Sequence, residues 1–341
     1  VKTAQTIKDI LIKSKLKLNE DPDKRNFYIL SNPEFLAEGT AINDLEYPDR
    51  VLIGGDNQNV INALSNIYLN WIKEEKILTT NLWSSELSKL IANAFLAQRI
   101  SSINSVSAIC ELTGADIKEV SMAVGYDKRI GMNFLNAGPG FGGSCFKKDI
   151  LNLIYICQHY GLNEVANYWQ QVLNINNWQT SRISKIIIEK LFGTIAEKKI
   201  VILGFSFKAN TNDTRESPAI TICKELLIEG GNLFIYDPKV DPLQIDIDLK
   251  KGNQENNEYN TNEGTWSFTK NIYTALTNAD AIIILTEWQE FKNLDWLKIS
   301  KLMRRPAWIF DTRYLLDPKD INHIDINYWR IGHGNSNLND N

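Results

Sequence analysis

The run Lys198-Lys199-Ile200-Val201-Ile202-Leu203-Gly204-Phe205 narrows the choice of fold more than any other stretch of this 341-residue chain. Apolar residues at every position from 200 to 203, with no alternation, specify a strand buried on both faces, as parallel sheets covered by helices provide. The run ends in glycine, and a long polar loop at 206–216 leads to a helical pattern at 217–229, a Rossmann-like strand-turn-helix order. Only one glycine of the dinucleotide fingerprint, Gly204, is in place, so this turn carries little of that signature. Further apolar runs at 233–236, 281–285 and 308–310 predict a doubly wound sheet, with Asp237-Pro238-Lys239 and Asp311-Thr312-Arg313 at strand C-termini. Lys208, Arg215 and Arg313 then gather on the side where a phosphate would bind.

Upstream the pattern changes. Residues 1–16 place Ile7, Ile10 and Leu11 on one side of a helical projection and lysines on others, predicting an amphipathic helix. The chain opens on Val1 and reads as beginning in mid-domain. Short apolar runs at 27–30, 51–53 and 76–79, with a helix at 59–73, predict another α/β sheet. Residues 32–41, Asn-Pro-Glu-Phe-Leu-Ala-Glu-Gly-Thr-Ala, leave the first of these strands at its C-terminal end, where open α/β sheets carry ligand-handling loops. Glu34 and Glu38 are either surface charges on a short helix or members of a turn fixed by Asn-Pro and Glu-Gly-Thr. Residues 83–112 read as one long helix, and Lys89 and Asn93 stack four apart beside its apolar face. A lysine there ordinarily snorkels to the surface; bordering a cleft, the pair would present a cation and an amide to one oxygen-rich ligand. Residues 150–192 are helical with a break near Gly161, and Trp169 and Trp178 fit either core or a subunit contact. Residues 250–264 read as a polar surface insertion and 334–341 as a loose tail.

Between the two long helical stretches lies Gly-Pro-Gly-Phe-Gly-Gly-Ser-Cys-Phe-Lys-Lys-Asp, residues 138–149. Its four glycines let the backbone turn and approach a ligand, and they end on a cysteine able to open a helix. Unpaired N–H groups at a helix N-terminus favour an anion, so Cys145 sits where a thiol is drawn toward its reactive thiolate form. Lys148 and Asp149 follow one turn later on the same side. Cys110, Cys157 and Cys223 lie in apolar helical patterns and read as packing residues.

Composition excludes several classes. A net charge of −4 with dispersed Lys and Arg argues against a nucleic-acid binder, and no apolar run approaches the roughly 18 residues of a membrane span. No basic-then-apolar segment stands at the start of this sequence, and a cytoplasmic protein is expected. The four cysteines lack C-x-x-C spacing and there are only three histidines, so neither a metal site nor a histidine triad is expected, and proton transfer falls to carboxylates and lysines.

Four blocks occur together and in order: residues 32–39, residues 84–89 with Asn93, residues 140–145 with Lys148 and Asp149, and residues 204–208 with 213–217. In combination they resemble the nucleotide-sugar dehydrogenases of the UDP-glucose/GDP-mannose dehydrogenase family, closest in pattern to its UDP-glucose branch. The resemblance runs from residue 1 to about residue 333. It implies two Rossmann-like doubly wound α/β domains, the first incomplete, joined by a central helical region. The expected domains are 1–81 (remainder of an NAD-binding domain), 82–195 (central helices with the cysteine loop), 196–333 (UDP-sugar binding) and 334–341 (tail).

The resemblance also implies a four-electron, NAD-dependent oxidation of UDP-glucose, with Cys145 capturing an aldehyde as a thiohemiacetal that becomes a thioester. Lys89 and Asn93 would stabilise the oxyanion, Asp149 would handle protons and Glu34 would activate water. Substrate contacts match Phe35, Leu36, Ala37, Glu38, Arg129, Phe134, Asn136, Gly138, Phe141, Gly142, Phe207, Lys208 and Arg313; Glu38, Lys148 and Arg215 match cofactor contacts. A homo-oligomer through the central helices is expected. Two departures stand out: no opening strand with a glycine-rich turn and acidic ribose-binding residue, and Asn136-Ala137-Gly138 where Lys-Ala-Ser is the expected loop. The first leaves an inactive UDP-sugar-binding fragment as the alternative to an enzyme, and a GDP-mannose or UDP-N-acetylmannosamine dehydrogenase as a nearer one.

Overall fold

A computed structural model describes residues 2–17, 27–250 and 264–334. The insertion expected at 250–264 and the tail expected at 334–341 lie almost wholly outside the described residues. Val1–Asn93 and Ala94–Asn341 form two compact units.

The first unit contains α1 (Thr3–Lys17), α2 (Ala41–Glu46), β1 (Val51–Gly54), α3 (Gln58–Tyr68), β2 (Ile77–Thr80) and the first turns of α4 (Leu82–Thr113). β1 and β2 run parallel, Val51 opposite Ile77 and Gly54 opposite Thr80, with α3 as the crossover between them. Val51, Ile53, Ile61 and Ile72 form the core there. The Asn57 side chain starts α3 by accepting from the N–H groups of Asn59 and Val60.

Two expectations fail in this unit. No strand forms at 27–30: the only pairing is an isolated antiparallel bridge between Ser31 and Gly54. Just beyond it the Asn32 side chain, not its backbone, takes the Leu52 carbonyl (2.8 Å), and Pro33 has no N–H with which to continue a ladder. α1 is helical as expected, yet Ile7 and Ile10 are exposed rather than buried; Ala4 is its buried contact. Its N-terminus is instead tied down by the Glu86 carboxylate, which accepts from the Ala4 N–H at 2.9 Å.

The second unit continues α4 and adds α5 (Ile117–Gly125), α6 (Phe146–His159) and α7 (Asn163–Lys190), the last two separated by the turn at Gly161. A six-stranded parallel sheet follows: β3 (Lys199–Leu203), β4 (Asn232–Tyr236), β5 (Trp266–Phe268), β6 (Ala281–Ile284), β7 (Trp308–Asp311) and β8 (Asn327–Arg330). Its order, β5-β4-β3-β6-β7-β8, is that of a doubly wound nucleotide-binding sheet. Ile200 and Ile202 face one core with Ile183 and Ile187 of α7 and with α8 (Pro218–Ile228); Val201 and Leu203 face the other. This two-sided burial is what the unbroken apolar run required.

Gly204 ends β3 at a φ of +93°, and a Cβ there would lie 2.4 Å from the Thr286 Cβ. Gly161 also has positive φ (+74°) but faces open space. Gly204→Ala is therefore expected to cost about 3 kcal/mol or more, and Gly161→Ala only about 1 kcal/mol. Urea unfolding of the two variants checks the difference.

Candidate active site

In the first unit residues 32–40 form a fixed turn and not a helix, which begins only at Ala41. Both ends of the Asn32 amide are used, one on the Leu52 carbonyl and the other accepting from the Tyr68 hydroxyl at 2.6 Å. Glu34 folds back to accept from the Leu36 N–H (2.7 Å), leaving its other oxygen 3.7 Å from Lys89 Nζ. Phe35 lies beneath two cations, the Arg50 guanidinium 3.8 Å and Lys89 Nζ 5.3 Å from its ring centre. The Ala37 N–H and the Thr40 hydroxyl both donate to Asp44. Leu36 is half-buried, Ala37 and Glu38 are exposed, and Asn93 is buried one turn after Lys89.

Three polar members of the 84–89 block, Ser85, Glu86 and Lys89, have a structural reason. Ser85 is fully buried, donates toward Ser31, and sits so close to β1 that a Cβ on Gly54 would be 2.3 Å from its own. Glu86 holds α1, and Lys89 faces Glu34. Wedged against the C-terminal end of β1, α4 carries Lys89 and Asn93 at fixed height.

In the second unit Cys145 is the N-cap of α6 and the one exposed cysteine of the four. Its Sγ lies 3.6 Å from Ser144 Oγ. Its carbonyl accepts from the Asp149 N–H at 2.8 Å, which sets Asp149 one turn on, with Lys148 exposed beside it. Lys147, between them in neither expected role, pairs with Glu216 at 2.7 Å.

The glycine stretch leading to Cys145 is buried between two walls. On one side Gly142 and Gly143 lie under Phe207: a Cβ on Gly142 would be 2.6 Å from the Glu216 carbonyl, and one on Gly143 3.2 Å from the Phe207 ring. The Gly143 N–H donates to the Arg215 carbonyl at 2.8 Å. On the other side Asn104, Asn176, Gln179 and Thr180 hold the backbone of residues 138–141. Arg313, largely buried, donates to the Leu285 and Phe207 carbonyls, and its Nη1 is 3.4 Å from where a Cβ on Gly138 would stand. Lys208 Nζ reaches over the Phe207 ring at 5.6 Å. Thus Gly138, Phe141, Gly142, Phe207, Lys208 and Arg313 share one neighbourhood within this unit. Phe134 is exposed at a strained φ of +62°, its ring 6.5 Å from Phe146; Asn136 is exposed. Arg129 is exposed and forked onto Asp127, and Arg215 onto Asp213.

The β3–α8 turn explains its missing glycines. Asp237, buried at the end of β4, accepts from the Phe205 N–H (2.7 Å) and the Ser206 N–H (3.1 Å). Its other oxygen takes the N–H groups of Lys239 and Val240. A carboxylate of the chain occupies the N–H groups that a pyrophosphate would need. In the first unit the glycines at the end of β1 do not form a cradle either: Gly54 meets Ser85, and a Cβ on Gly55 would be 2.4 Å from Leu30. Neither of these two turns therefore offers a glycine-rich cradle for a dinucleotide pyrophosphate. Among the described residues no His, Cys, Asp and Glu cluster could hold a metal, and no helix is long and apolar enough to cross a membrane.

Two groups escaped the sequence reading. The Asn176, Gln179 and Thr180 stripe is visible as i, i+3, i+4 spacing, but the signal is one of helix periodicity and not of chemistry. A second cluster fastens the chain's C-terminal strand to the α4–α5 corner. Asp116 accepts from the Tyr314 hydroxyl (2.7 Å) and pairs with Arg330 (3.1 Å), and His333 Nδ1 lies 2.9 Å away. Nearby, Arg182 forks onto Glu111, which also accepts from the Gly332 N–H.

Three family models match successive stretches of this chain. Residues 1–72 match the NAD binding domain, 83–178 the central domain and 201–318 the UDP binding domain of the UDP-glucose/GDP-mannose dehydrogenase family. This chain belongs to that family. Within the family it is 50% identical over 343 residues to UDP-glucose 6-dehydrogenase 3 of Oryza sativa subsp. japonica, covering 97% of this chain and 70% of that relative. It is 56% identical over 297 residues to UDP-glucose 6-dehydrogenase of Pongo abelii, covering 86% of this chain and 60% of the relative. Among solved structures, a UDP-glucose dehydrogenase of Pyrobaculum islandicum aligns with a TM-score of 0.76 at 29% identity, covering 92% of this chain and 65% of that one. The chain thus spans about 60 to 70% of the length of these family members. The family order, Rossmann-like α/β, helical, Rossmann-like α/β, is the order of its elements.

Asp116 makes a pH test of the corner cluster. Burial alone would raise its carboxyl, but hydrogen bonds from Tyr314, His333 and the Lys118 N–H, with the Arg330 charge, outweigh this and hold it below the usual carboxylate range. A depressed folded pKa contributes stability that is present above the unfolded value of about 3.9 and is lost as pH falls through the folded one. The wild type is expected to lose stability more steeply than Asp116→Asn between about pH 5 and pH 2, and to exceed it at pH 7. Urea titrations across that range decide this.

Proposed function

We propose that this chain carries the catalytic cysteine and the UDP-sugar site of an NAD-dependent UDP-glucose 6-dehydrogenase, oxidising the primary alcohol of UDP-glucose to the carboxylate of UDP-glucuronate. The observation that carries this reading is the exposed Cys145 at the N-terminus of α6, ending a glycine loop buried against Phe207 and beside Arg313. Names of the relatives support the choice of UDP-glucose over other nucleotide sugars.

NAD, when bound, accepts the two hydrides that leave the sugar carbon in turn. This chain's residues do the rest. Arg313 and Lys208 bring positive charge to the C-terminal edge of the sheet for the diphosphate. Phe207, Phe141 and the backbone of residues 136–142 line the approach to the cysteine. At the aldehyde stage the Cys145 thiolate adds to the carbonyl carbon, and the oxygen takes the negative charge. Lys89 and Asn93 stabilise that oxyanion, and Asp149 moves its proton through water. Loss of the second hydride leaves a thioester; Glu34 takes a proton from water, which attacks the carbonyl and releases acid and thiol. Phe35, Leu36, Ala37, Glu38, Arg129, Phe134 and Asn136 complete the proposed substrate contacts, and Glu38, Lys148 and Arg215 the cofactor contacts.

A second reading, a UDP-sugar-binding protein without turnover, takes its support from the turn after β3, where Asp237 occupies the N–H groups of Phe205 and Ser206. NADH formed per UDP-glucose, measured on the protein expressed from its full coding sequence, separates them: two supports the enzyme, and binding without NADH supports the second reading. We also propose a homo-oligomer through the helical region. Phe95, Leu151, Tyr155, Tyr168 and Trp178 expose large apolar area there, and light scattering of the purified chain tests it.

Cys145→Ser is expected to abolish acid formation by about a thousandfold or more while UDP-glucose still binds. Glu34→Gln should slow thioester hydrolysis so that a covalent sugar adduct accumulates, read by intact-protein mass spectrometry; no adduct would remove Glu34 from that role.

A further inference from the structure

The loop before Cys145 is irregular backbone in a dry place, and nearly all of its partners are side chains. The Gly138 N–H donates to Asn104 Oδ1 (2.8 Å), and the Gly138 carbonyl accepts from Gln179 Nε2 (3.0 Å). The Pro139 carbonyl accepts from the Thr180 hydroxyl (2.8 Å). Asn176 reads both backbone groups of one residue, as a neighbouring strand would: its Oδ1 accepts from the Phe141 N–H at 2.8 Å and its Nδ2 donates to the Phe141 carbonyl at 3.3 Å. Gly140, between these contacts at a φ of +133°, lies flat on the pair; a Cβ there would be 3.0 Å from both Asn176 Oδ1 and Thr180 Oγ1.

The hold passes on to the sulfur through a ring. Phe141 packs edge-on against Phe146 at 5.7 Å, and Phe146 is the first residue of α6, directly after Cys145. α7 is itself rooted in the core of the sheet one and two turns further on, where Ile183 and Ile187 are fully buried. Asn176 and Thr180 are largely buried, so their amide and hydroxyl have no water to compete for them.

We propose that Asn176 and Thr180 are positioning residues for Cys145: they fix the Pro139–Phe141 backbone against α7 and so set where the thiol stands relative to the bound UDP-sugar. The inference rests on the reading of Cys145 as the nucleophile and deepens it. An apolar residue at either position would fill the space and leave Phe141 or Pro139 with unpaired buried backbone groups.

The test uses iodoacetamide labelling of Cys145, followed by peptide mass spectrometry, with UDP-glucose as protectant. The other cysteines are buried and serve as internal controls. Asn176→Ala and Thr180→Val are expected to raise the UDP-glucose concentration for half-protection by roughly tenfold, the scale of one or two lost hydrogen bonds. Thr180→Ser, which keeps the hydroxyl, should stay within about twofold of wild type, as should Ile183→Val, which loosens the same helix without touching the loop. Thermal melting places all four on one stability scale. If Asn176→Ala and Thr180→Val protect as Ile183→Val does, the role is merely structural and the proposal is overturned. If UDP-glucose fails to protect even wild-type Cys145, the assignment of Cys145 falls, and this inference with it.

Discussion

Backbone amides that are neither in a helix nor in a sheet must still find partners once they leave water, and residues 138–141 meet that demand with side chains. Much in the second unit follows from it. α7 needs polar residues on a face that would otherwise be apolar, and α4 needs Asn104 at a fully buried position. Glycine is required at 140 and 142 because the walls come too close for a Cβ. The loop can then be both irregular enough to present a thiol and rigid enough to present it in one place. Apolar burial of Ile183 and Ile187 anchors the helix that does the holding.

The same logic, with a carboxylate in place of amides, governs the turn after β3. Asp237 gathers the Phe205 and Ser206 N–H groups on one oxygen, with the indole N–H of Trp288 3.2 Å away on the same oxygen. Asp311 does this after β7, accepting from the N–H groups of Arg313, Leu315 and Leu316 and from the Tyr328 hydroxyl. Burial pushes the Asp311 carboxyl up while these bonds oppose it. Each acid closes its loop over the sheet edge, and the second sets the backbone from which Arg313 extends. A doubly wound sheet of nucleotide-binding order can thus leave one partner's contacts to side chains instead of a glycine-rich turn.

The central strands β3, β6 and β7 were legible because burial on both faces writes an unbroken apolar run. β5 and β8 were not. They are short edge strands whose residues, such as Ser267 and Asn327, face water on one side and look like loop. The run at 27–30 is apolar enough for a strand, yet Asn32 and Pro33 divert the hydrogen bonding, a competition that composition does not reveal. Cys145 could be singled out because its company of glycine and charge is wrong for a core. Asn176 could not, because its partner is the backbone of residue 141, and the backbone of Phe141 has no letter in the sequence. The Asp116 cluster joins residues more than two hundred positions apart and was invisible for that reason.

The contrast among the cysteines has a redox consequence. Burial pushes the thiols of Cys110, Cys157 and Cys223 up, away from the thiolate that peroxide attacks, whereas Cys145 stands open to solvent. With no second accessible thiol in the chain to resolve a sulfenic acid, oxidation would stop as a single-site lesion until an outside thiol reversed it. The first equivalent of oxidant per chain would then be spent at Cys145.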